Sequence, residues 1–490
     1  MFGGVFLFFV CCILFYSLSF YKNSGINPPI ISVLFAIKII SGVGLLFVYT
    51  YYYQDRKTGD VFKYLDDSKI IWHYSKTNLV VYFKILFGID NYNKEVATVL
   101  NYLDHWDLEG NVNFINDSRL IIRFNLLLYP FSGGNQYIHL VVLGLWSFTG
   151  QVAIYRTFVL IFNEKIKSLI AVFFIPSFVF WSSGILKEGV LIGFLGLFLW
   201  FTFCYFKSGK KSHLLIFIVM WLGVLFSKFY VAFCLIPLTF IFCYTPNLKP
   251  KIAILFGVIF CFFSYLFFTN NDSIIEKPLK LLSEKQHQFI NVSKGGYFIE
   301  QAKDTFRINY DLGTTAIKMC GDSGYLSRKI VGYAFVNLRD TKLVEIKTGK
   351  TNSFKILKKL PGAKSNIEIS KIDGLEGFIK NIPEYFLNVL IRPLPKETRN
   401  IFQLITLVEN ISVVIFFVLS LVWFKQVKKK EIAWMLCFLL YIFLLFILIG
   451  STTPVIGAIV RYKIPALPFL WIMILVMFDE SKFRNSIKKI

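Results

Sequence analysis

The sequence predicts an all-α polytopic membrane protein of about eleven transmembrane helices with a small extracytoplasmic α+β insertion. Three observations carry that reading. The 490 residues are 56% hydrophobic, with 55 Phe and 25 Tyr, and the mean hydropathy is +0.60, well above what a soluble core of this length needs. Apolar runs of spanning length recur along the chain, separated by short loops rich in Lys and Arg. One long polar segment, residues 271–400, interrupts them.

Residues 1–53 form the N-terminal transmembrane part. Met1 to Phe20 has no basic start and no small-residue cleavage site, so it reads as a retained helix, and Ile30 to Tyr53 follows as the next crossing. Residues 54–135 form a first extracytoplasmic loop. It opens YYYQDRKTGDVFKYLDDSKIIWHY, which sets Asp55, Asp60, Asp66 and Asp67 at the membrane interface among aromatic rings. Ser118 to Phe131, SRLIIRFNLLLYPF, places basic and apolar residues at helical spacing and reads as an amphipathic helix lying on the membrane, with Arg119 and Arg123 on one face.

Residues 136–270 are a central bundle: Gln136 to Phe162, Ser168 to Gly184 and Gly189 to Phe206 each read as a crossing. Leu214 to Tyr244 has cytoplasmic ends and reads as a hairpin of two short helices turning near Ser227-Lys228. Such backbone is tolerated at membrane depth only where it lines protein or water. Lys251 to Phe268 runs outward. Residues 271–400 form the insertion, helical from Ser273 to Phe289, turning at Gly295-Gly296. Short strands are expected between Val331 and Ile372, at Tyr333–Leu338, Lys342–Lys347 and Asn366–Ile372, before a helix from Gly374 to Leu394. Residues 401–490 hold the last crossings and a basic tail.

Basic loops at Asn163–Lys167, Lys207–His213 and Lys425–Glu431, with the tail Asp479–Ile490, fix the cytoplasmic side, and Thr245–Lys251 is a weaker fifth. The N-terminus is then outside and the C-terminus cytoplasmic, as in a multi-pass protein. The Lys-rich insertion does not vote, because the rule counts loops shorter than about 60 residues.

The formal charge of +23 fits Lys and Arg that anchor loops at anionic membrane surfaces, so the lipid bilayer is the expected partner and nucleic acid is not. Seven of the eight cysteines lie in apolar runs, as small hydrophobes; only Cys320 lies in a polar stretch, so there is no disulfide framework or metal-ligand spacing. Gly349-Lys350-Thr351 lacks the upstream glycine of a phosphate loop.

The most informative local feature is Lys187-Glu188, at the end of PSFVFWSSGILKE and between two apolar segments. A charge at membrane depth costs about 2.5 to 3.5 kcal/mol unless it finds a partner or water. The pair therefore points to a polar cavity, on which Asp60, Asp66, Asp67, Arg461 and Lys463 are expected to converge. Plainer readings stand beside it. Asp66-Asp67 also suits a solvated turn or helix cap, Lys187-Glu188 a structural ion pair, and Arg461 with Lys463 a pair snorkelling to headgroups. His73 and His105 read as surface histidines, and Trp72, Trp106 and Trp181 as interfacial belt residues, one of which could stack on a sugar ring.

The acidic first loop, the charges between crossings, and the late Arg461-Tyr-Lys-Ile-Pro-Ala-Leu-Pro-Phe469 resemble the polyprenyl-phosphate-dependent membrane glycosyltransferases of the GT-C class and the bacterial O-antigen and exopolysaccharide polymerases. The likeness covers the membrane portion and excludes most of 271–400. It departs from the GT-C pattern in that Asp60 stands apart from Asp66-Asp67 and follows the second helix, which leaves the catalytic base open. The resemblance implies a polyprenyl-phosphate-linked sugar as donor and a saccharide as acceptor. A leaving phosphate needs fixed cations, for which Lys187, Arg392, Arg461 and Lys463 are the candidates. An acceptor hydroxyl needs a base, with Asp60 first, then Asp66 and Asp67. Glu188, Lys228 and Arg123 are expected to support the site. A divalent metal held by carboxylates is compatible with this chemistry, but no ligand pattern marks one. A transporter or flippase of lipid-linked saccharides is the alternative, suggested by the broken hairpin at Lys228, and a scaffold acting through the basic insertion is a third.

Overall fold

Helix dominates the chain because apolar runs bury their backbone amides most cheaply as helices. The computed structural model describes residues 2–52, 59–90, 93–100, 102–103, 106, 117–236, 276–301, 304–309, 317–320, 323–326, 330–336, 340–346, 353–360 and 362–488. The N-terminal helices are α1 (Phe2–Ser17), α2 (Ser19–Lys22) and α3 (Pro28–Phe47), the last started by paired prolines and prolonged by a π turn at Val48–Tyr52. The first loop contains α4 (Asp60–Ser75), α5 (Leu79–Phe87), α6 (Lys94–Leu100) and α7 (Asp117–Ser132). The helix expected over Ser118–Phe131 is thus present. The central bundle contains α8 (Gln136–Phe162), α9 (Lys165–Phe173), α10 (Pro176–Trp181), α11 (Lys187–Ser208), α12 (Lys211–Ser227) and α13 (Phe229–Cys234).

After the insertion's first helix, α14 (Glu276–Lys294), come a β-sheet and α15 (Gly374–Ile391). The C-terminal helices are α16 (Ile401–Val422), α17 (Lys429–Thr452), α18 (Ile456–Tyr462), α19 (Leu467–Met477) and α20 (Glu480–Ile487).

Among the described residues, six helical stretches are long and apolar enough to cross a membrane: Pro28–Tyr52, Gln136–Phe162, Lys187–Tyr205, Ile401–Val422, Lys429–Thr452 and Ile456–Met477. They differ in what surrounds them. Ile456–Met477 is 83% buried and forms the centre, whereas Ile401–Val422 is 28% buried and turns Val408, Ile411, Val414 and Ile415 outward, as a lipid-facing helix does. The expectation of about eleven crossings counted shorter or broken segments. Ser168–Gly184 is one such segment: Pro176 cannot continue the preceding turn, so the helix breaks at Phe174-Ile175 into α9 and α10. Phe2–Ser17 and Lys211–Ser227 are apolar but shorter. Residues 237–244, the second half of the hairpin's second arm, and all of Lys251–Phe268 lie outside the described residues.

Close helix contact in the centre depends on glycine. A Cβ on Gly150 of α8 would lie 2.1 Å from the Ile192 carbonyl of α11, and one on Gly196 would lie 2.0 Å from the Gly150 carbonyl. The two backbones therefore touch, as small residues allow in membrane bundles.

The insertion's sheet is antiparallel and seven-stranded: β1 (Gly296–Gln301), β2 (Asp304–Asn309), β3 (Ile317–Cys320), β4 (Ser323–Leu326), β5 (Ile330–Val336), β6 (Asp340–Ile346) and β7 (Ser353–Leu360), in the order β3-β4-β7-β1-β2-β5-β6. It starts at Gly296, earlier than the expected strands, because the sequence after the double glycine already alternates as a hairpin. The expected strand over Asn366–Ile372 is instead a connector, with a single bridge from Asn366 to Val455 and Ile367 N–H donating to the Pro454 carbonyl at 2.7 Å. Gln286 of α14 fastens it, donating to the Ser370 and Ser451 carbonyls at 2.9 and 2.7 Å and accepting from Ile372 N–H at 2.9 Å.

Candidate functional site

Four segments far apart in sequence meet where their regular structure starts or fails. Asp60 is the first residue of α4, where the helix dipole favours a carboxylate. Lys187 and Glu188 open α11. Lys228 occupies the break between α12 and α13 in extended conformation, φ −153 and ψ 98. Arg461 lies in α18, and Pro465, four residues on, cannot donate to its carbonyl, so the span is interrupted there by the 3-10 turn Ile464–Ala466.

Arg461 is the hub. Its Nη1 donates to Asp60 Oδ2. Its Nε lies 2.9 Å from Glu188 Oε1, an ion pair whose N–H is not aimed for a hydrogen bond. Lys228 Nζ donates to the same Glu188 oxygen at 3.1 Å and stands 4.1 Å from the Tyr462 ring centre, a cation–π contact. Lys187 turns away from this line, donating to Ser118 Oγ at 2.9 Å and lying 5.2 Å from the Tyr64 ring centre. Lys63 completes the set, 3.4 Å from Asp60.

Burial grades across the cluster. The side chains of Glu188 and Lys228 are 2% and 4% exposed, Arg461 is 13% and Asp60 is 28%, so the Asp60 end is the open one. Burial by itself raises the Asp60 carboxyl, but Arg461, Lys63 and Lys187 outweigh it and hold it at about 2. Glu188 Oε2 is buried with no hydrogen-bond partner among the described residues. Among the described residues, Arg461, Lys228 and Lys63 contact the two carboxylates Asp60 and Glu188, and Lys187 adds its charge from beside Asp60.

The other expected residues lie elsewhere. Asp66 and Asp67 sit about 9 and 10 Å farther along α4 by helix rise, Asp66 acting electrostatically on Tyr129 of α7 and Asp67 buried. Lys463 is buried two residues past Arg461 and donates to Asn410 Oδ1 at 2.8 Å and the Val389 carbonyl at 3.3 Å. Arg392 pairs with Glu397 and donates to Asn388 Oδ1 at 2.8 Å; its carbonyl accepts from Asn410 Nδ2 at 2.8 Å. Lys463 and Arg392 therefore form a second polar cluster with Asn410 at its centre. Arg123 donates to the Ile85 carbonyl at 3.1 Å, fixing α5 to α7 rather than supporting the Arg461 cluster; burial, then Arg119, bring it down to about 10. Trp106 is buried beneath Arg119 and Arg123, not set in an interfacial belt. Among the described residues, no group of three or more His, Cys, Asp or Glu side chains is placed to hold a metal ion.

Sequence reasoning passed over two intramembrane ions. Lys38 is buried in α3 and donates to Ser182 Oγ at 2.9 Å, in the loop leading to Lys187. Glu409 is buried in α16; its Oε2 accepts from Ser177 N–H at 2.9 Å and its Oε1 has no hydrogen-bond partner among the described residues. Each is the lone charge in its apolar run, the signal that could have marked it. A buried hydrogen-bond chain also fixes the α7–α8 elbow. The Asn125 amide donates to the Ile121 carbonyl at 2.9 Å, so its oxygen faces His139 Nδ1 at 2.8 Å, and Ser132 Oγ lies 2.6 Å from His139 Nε2. No family model matches the chain, nor does any curated protein or solved structure.

Proposed function

We propose that this protein is a membrane glycosyltransferase or polysaccharide polymerase that moves a sugar from a polyprenyl-phosphate-linked donor to a saccharide acceptor at the extracytoplasmic face. The supporting observation is the cation-rich cluster around Arg461, buried at Glu188 and open at Asp60. A departing phosphate carries charge that fixed cations stabilise best in a water-poor site. Arg461 offers a planar fork to phosphate oxygens, and Lys187 a point charge.

In the resting state Asp60 is a poor base, because a carboxyl held at about 2 has little affinity for a proton. A lipid phosphate that takes Arg461 into its own contacts removes the largest of the charges that hold Asp60 down. Asp60 then regains basicity only when donor is bound, and accepts the acceptor hydroxyl's proton as that oxygen attacks the anomeric carbon and the bond from that carbon to the lipid phosphate oxygen breaks, leaving the phosphate anion against Arg461 and Lys187. Glu188 and Lys228 keep Arg461 in place during the exchange. The finer topology belongs to this proposal: about eleven crossings in a bacterial plasma membrane, with the N-terminus outside and the C-terminus in the cytoplasm.

The test is single replacement of Asp60, Lys187 and Arg461 by Ala, followed by measurement of polymer and lipid-linked sugar in membranes. Loss of product in each is expected, and full output from all three removes the basis of the reading. A flippase is the second reading, favoured by the breaks between α9 and α10 and at Lys228, since discontinuous helices line transporter sites. Movement of labelled lipid-linked sugar across sealed vesicles without covalent change would select it.

A further inference from the structure

Helix α5 is apolar on both faces, yet only one is covered. Leu79, Val80, Phe83 and Phe87 are 58, 65, 49 and 68% exposed, and at helical pitch they share one face about 100° wide. Val81, Tyr82 and Ile85, on the other side, are buried. An apolar face of this kind exposed to water is unfavourable and marks a docking surface. At nine residues, about 13 Å, α5 is too short to cross a hydrocarbon core of about 30 Å.

What lies beside α5 identifies what covers it. Tyr82 Oη donates to the Leu126 carbonyl at 3.2 Å and Arg123 Nε to the Ile85 carbonyl at 3.1 Å, so α5 and α7 are one unit. The last turn and a half of α7 exposes Leu127 and Phe131, and Phe131 stands five residues before Gln136, where the spanning helix α8 begins. The elbow between them is rigid: Gly133 and Gly134 take left-handed conformations, φ 58 and 80, and the Ser132–His139–Asn125 chain closes it. The apolar surface thus continues into a helix long enough to span. Lys69 and Lys76 are exposed on and just after α4, as suits anionic headgroups.

We propose that α5 and the end of α7 are seated in the headgroup–acyl boundary of the bilayer that α8 enters, as an interfacial platform that holds α4, and with it Asp60, at headgroup depth. This seat does not depend on the transferase reading. A second copy of the chain or another protein is the competing occupant.

The experiment uses the full-length protein in nanodiscs of mixed neutral and anionic lipid. Trifluoromethyl-phenylalanine is placed singly at Phe83, Phe87 or Phe131, near-isosteric replacements that spare the fold, with Lys94 as the water-facing control position. Fluorine relaxation is then measured with a nitroxide carried near the top of the acyl chain and, separately, with a water-soluble gadolinium chelate. At 83, 87 and 131 the lipid nitroxide is expected to act several-fold more strongly than the chelate, with the reverse order at 94. Equal chelate access at 83 and 94 overturns the proposal, because the face is then in water. Protection from both agents also overturns it, because protein then covers the face.

Discussion

Arg461 and Asp60 are joined across 401 positions of chain, and Glu188 holds the same guanidinium from its inner side at 2.9 Å. The arginine thereby couples α4 to the most buried of the candidate spanning segments. A buried charge flanked on both sides is tolerated only while both partners remain.

Glu188 stands between Arg461 and Lys228 with almost no solvent. Replacing Glu188 by Ala leaves Lys228 without its carboxylate and Arg461 with Asp60 alone, a class of change that costs about 3 to 5 kcal/mol. Thermal unfolding in detergent is expected to show a fall in midpoint much larger than for Glu480→Ala, an exposed carboxylate in α20.

Asp60 sets a pH dependence whose sign is fixed by its lowered proton affinity. Its carboxyl is held at about 2 in the folded chain, against about 3.9 when unfolded. The folded state therefore gains stability above the unfolded value and loses it as pH falls through about 4 towards 2. Denaturation midpoints of the wild type and Asp60→Asn should differ by a constant amount at pH 5 and above, and converge below pH 4. A difference that grows on acidification contradicts the ion pair.

Gly150 and Gly196 face each other where α8 crosses α11. Gly196→Ala forces a methyl group against backbone that has no room for it, and overpacking of this kind costs about 1 to 3 kcal/mol. Gly209→Ala is a poorer comparison because that glycine has positive φ, whereas Gly44, with open space around its Cβ, is the suitable control. The unfolding midpoint of Gly196→Ala should fall well below that of Gly44→Ala.

Much of this site could be read from sequence, for an identifiable reason. Lys187-Glu188, Lys228 and Arg461 are charges inside or beside apolar runs, and their cost in such places announces a partner without saying which. The pairing itself depends on helix rotation and on breaks at Lys228 and Pro465, which place side chains that sequence spacing cannot. Of the carboxylates expected as base, Asp60 before Asp66 and Asp67, it is Asp60, at the helix start, that meets Arg461. Arg392 was grouped with the phosphate cations on charge alone, and its neighbour Glu397, five residues away, claims it. The first strands of the insertion went unread because each is only four to six residues long and mixes polar with apolar side chains, although β1 with β2 and β3 with β4 are local hairpins.

Arg461 and Lys are not equivalent in this setting, since only the guanidinium can serve two carboxylates and then offer a fork to phosphate. Arg461→Lys is expected to keep the fold, with a small fall in midpoint, while sugar transfer drops by about 10² or more, the scale of losing one preorganised charge contact.

The most direct measurement is binding of a short-chain polyprenyl phosphate to the purified protein in nanodiscs, comparing wild type with Arg461→Lys and Lys187→Ala at matched folding. Saturable binding by the wild type, weakened at least tenfold in both variants and by added salt, is expected. Equal binding by all three proteins contradicts the assignment of the Arg461 cluster as the phosphate site.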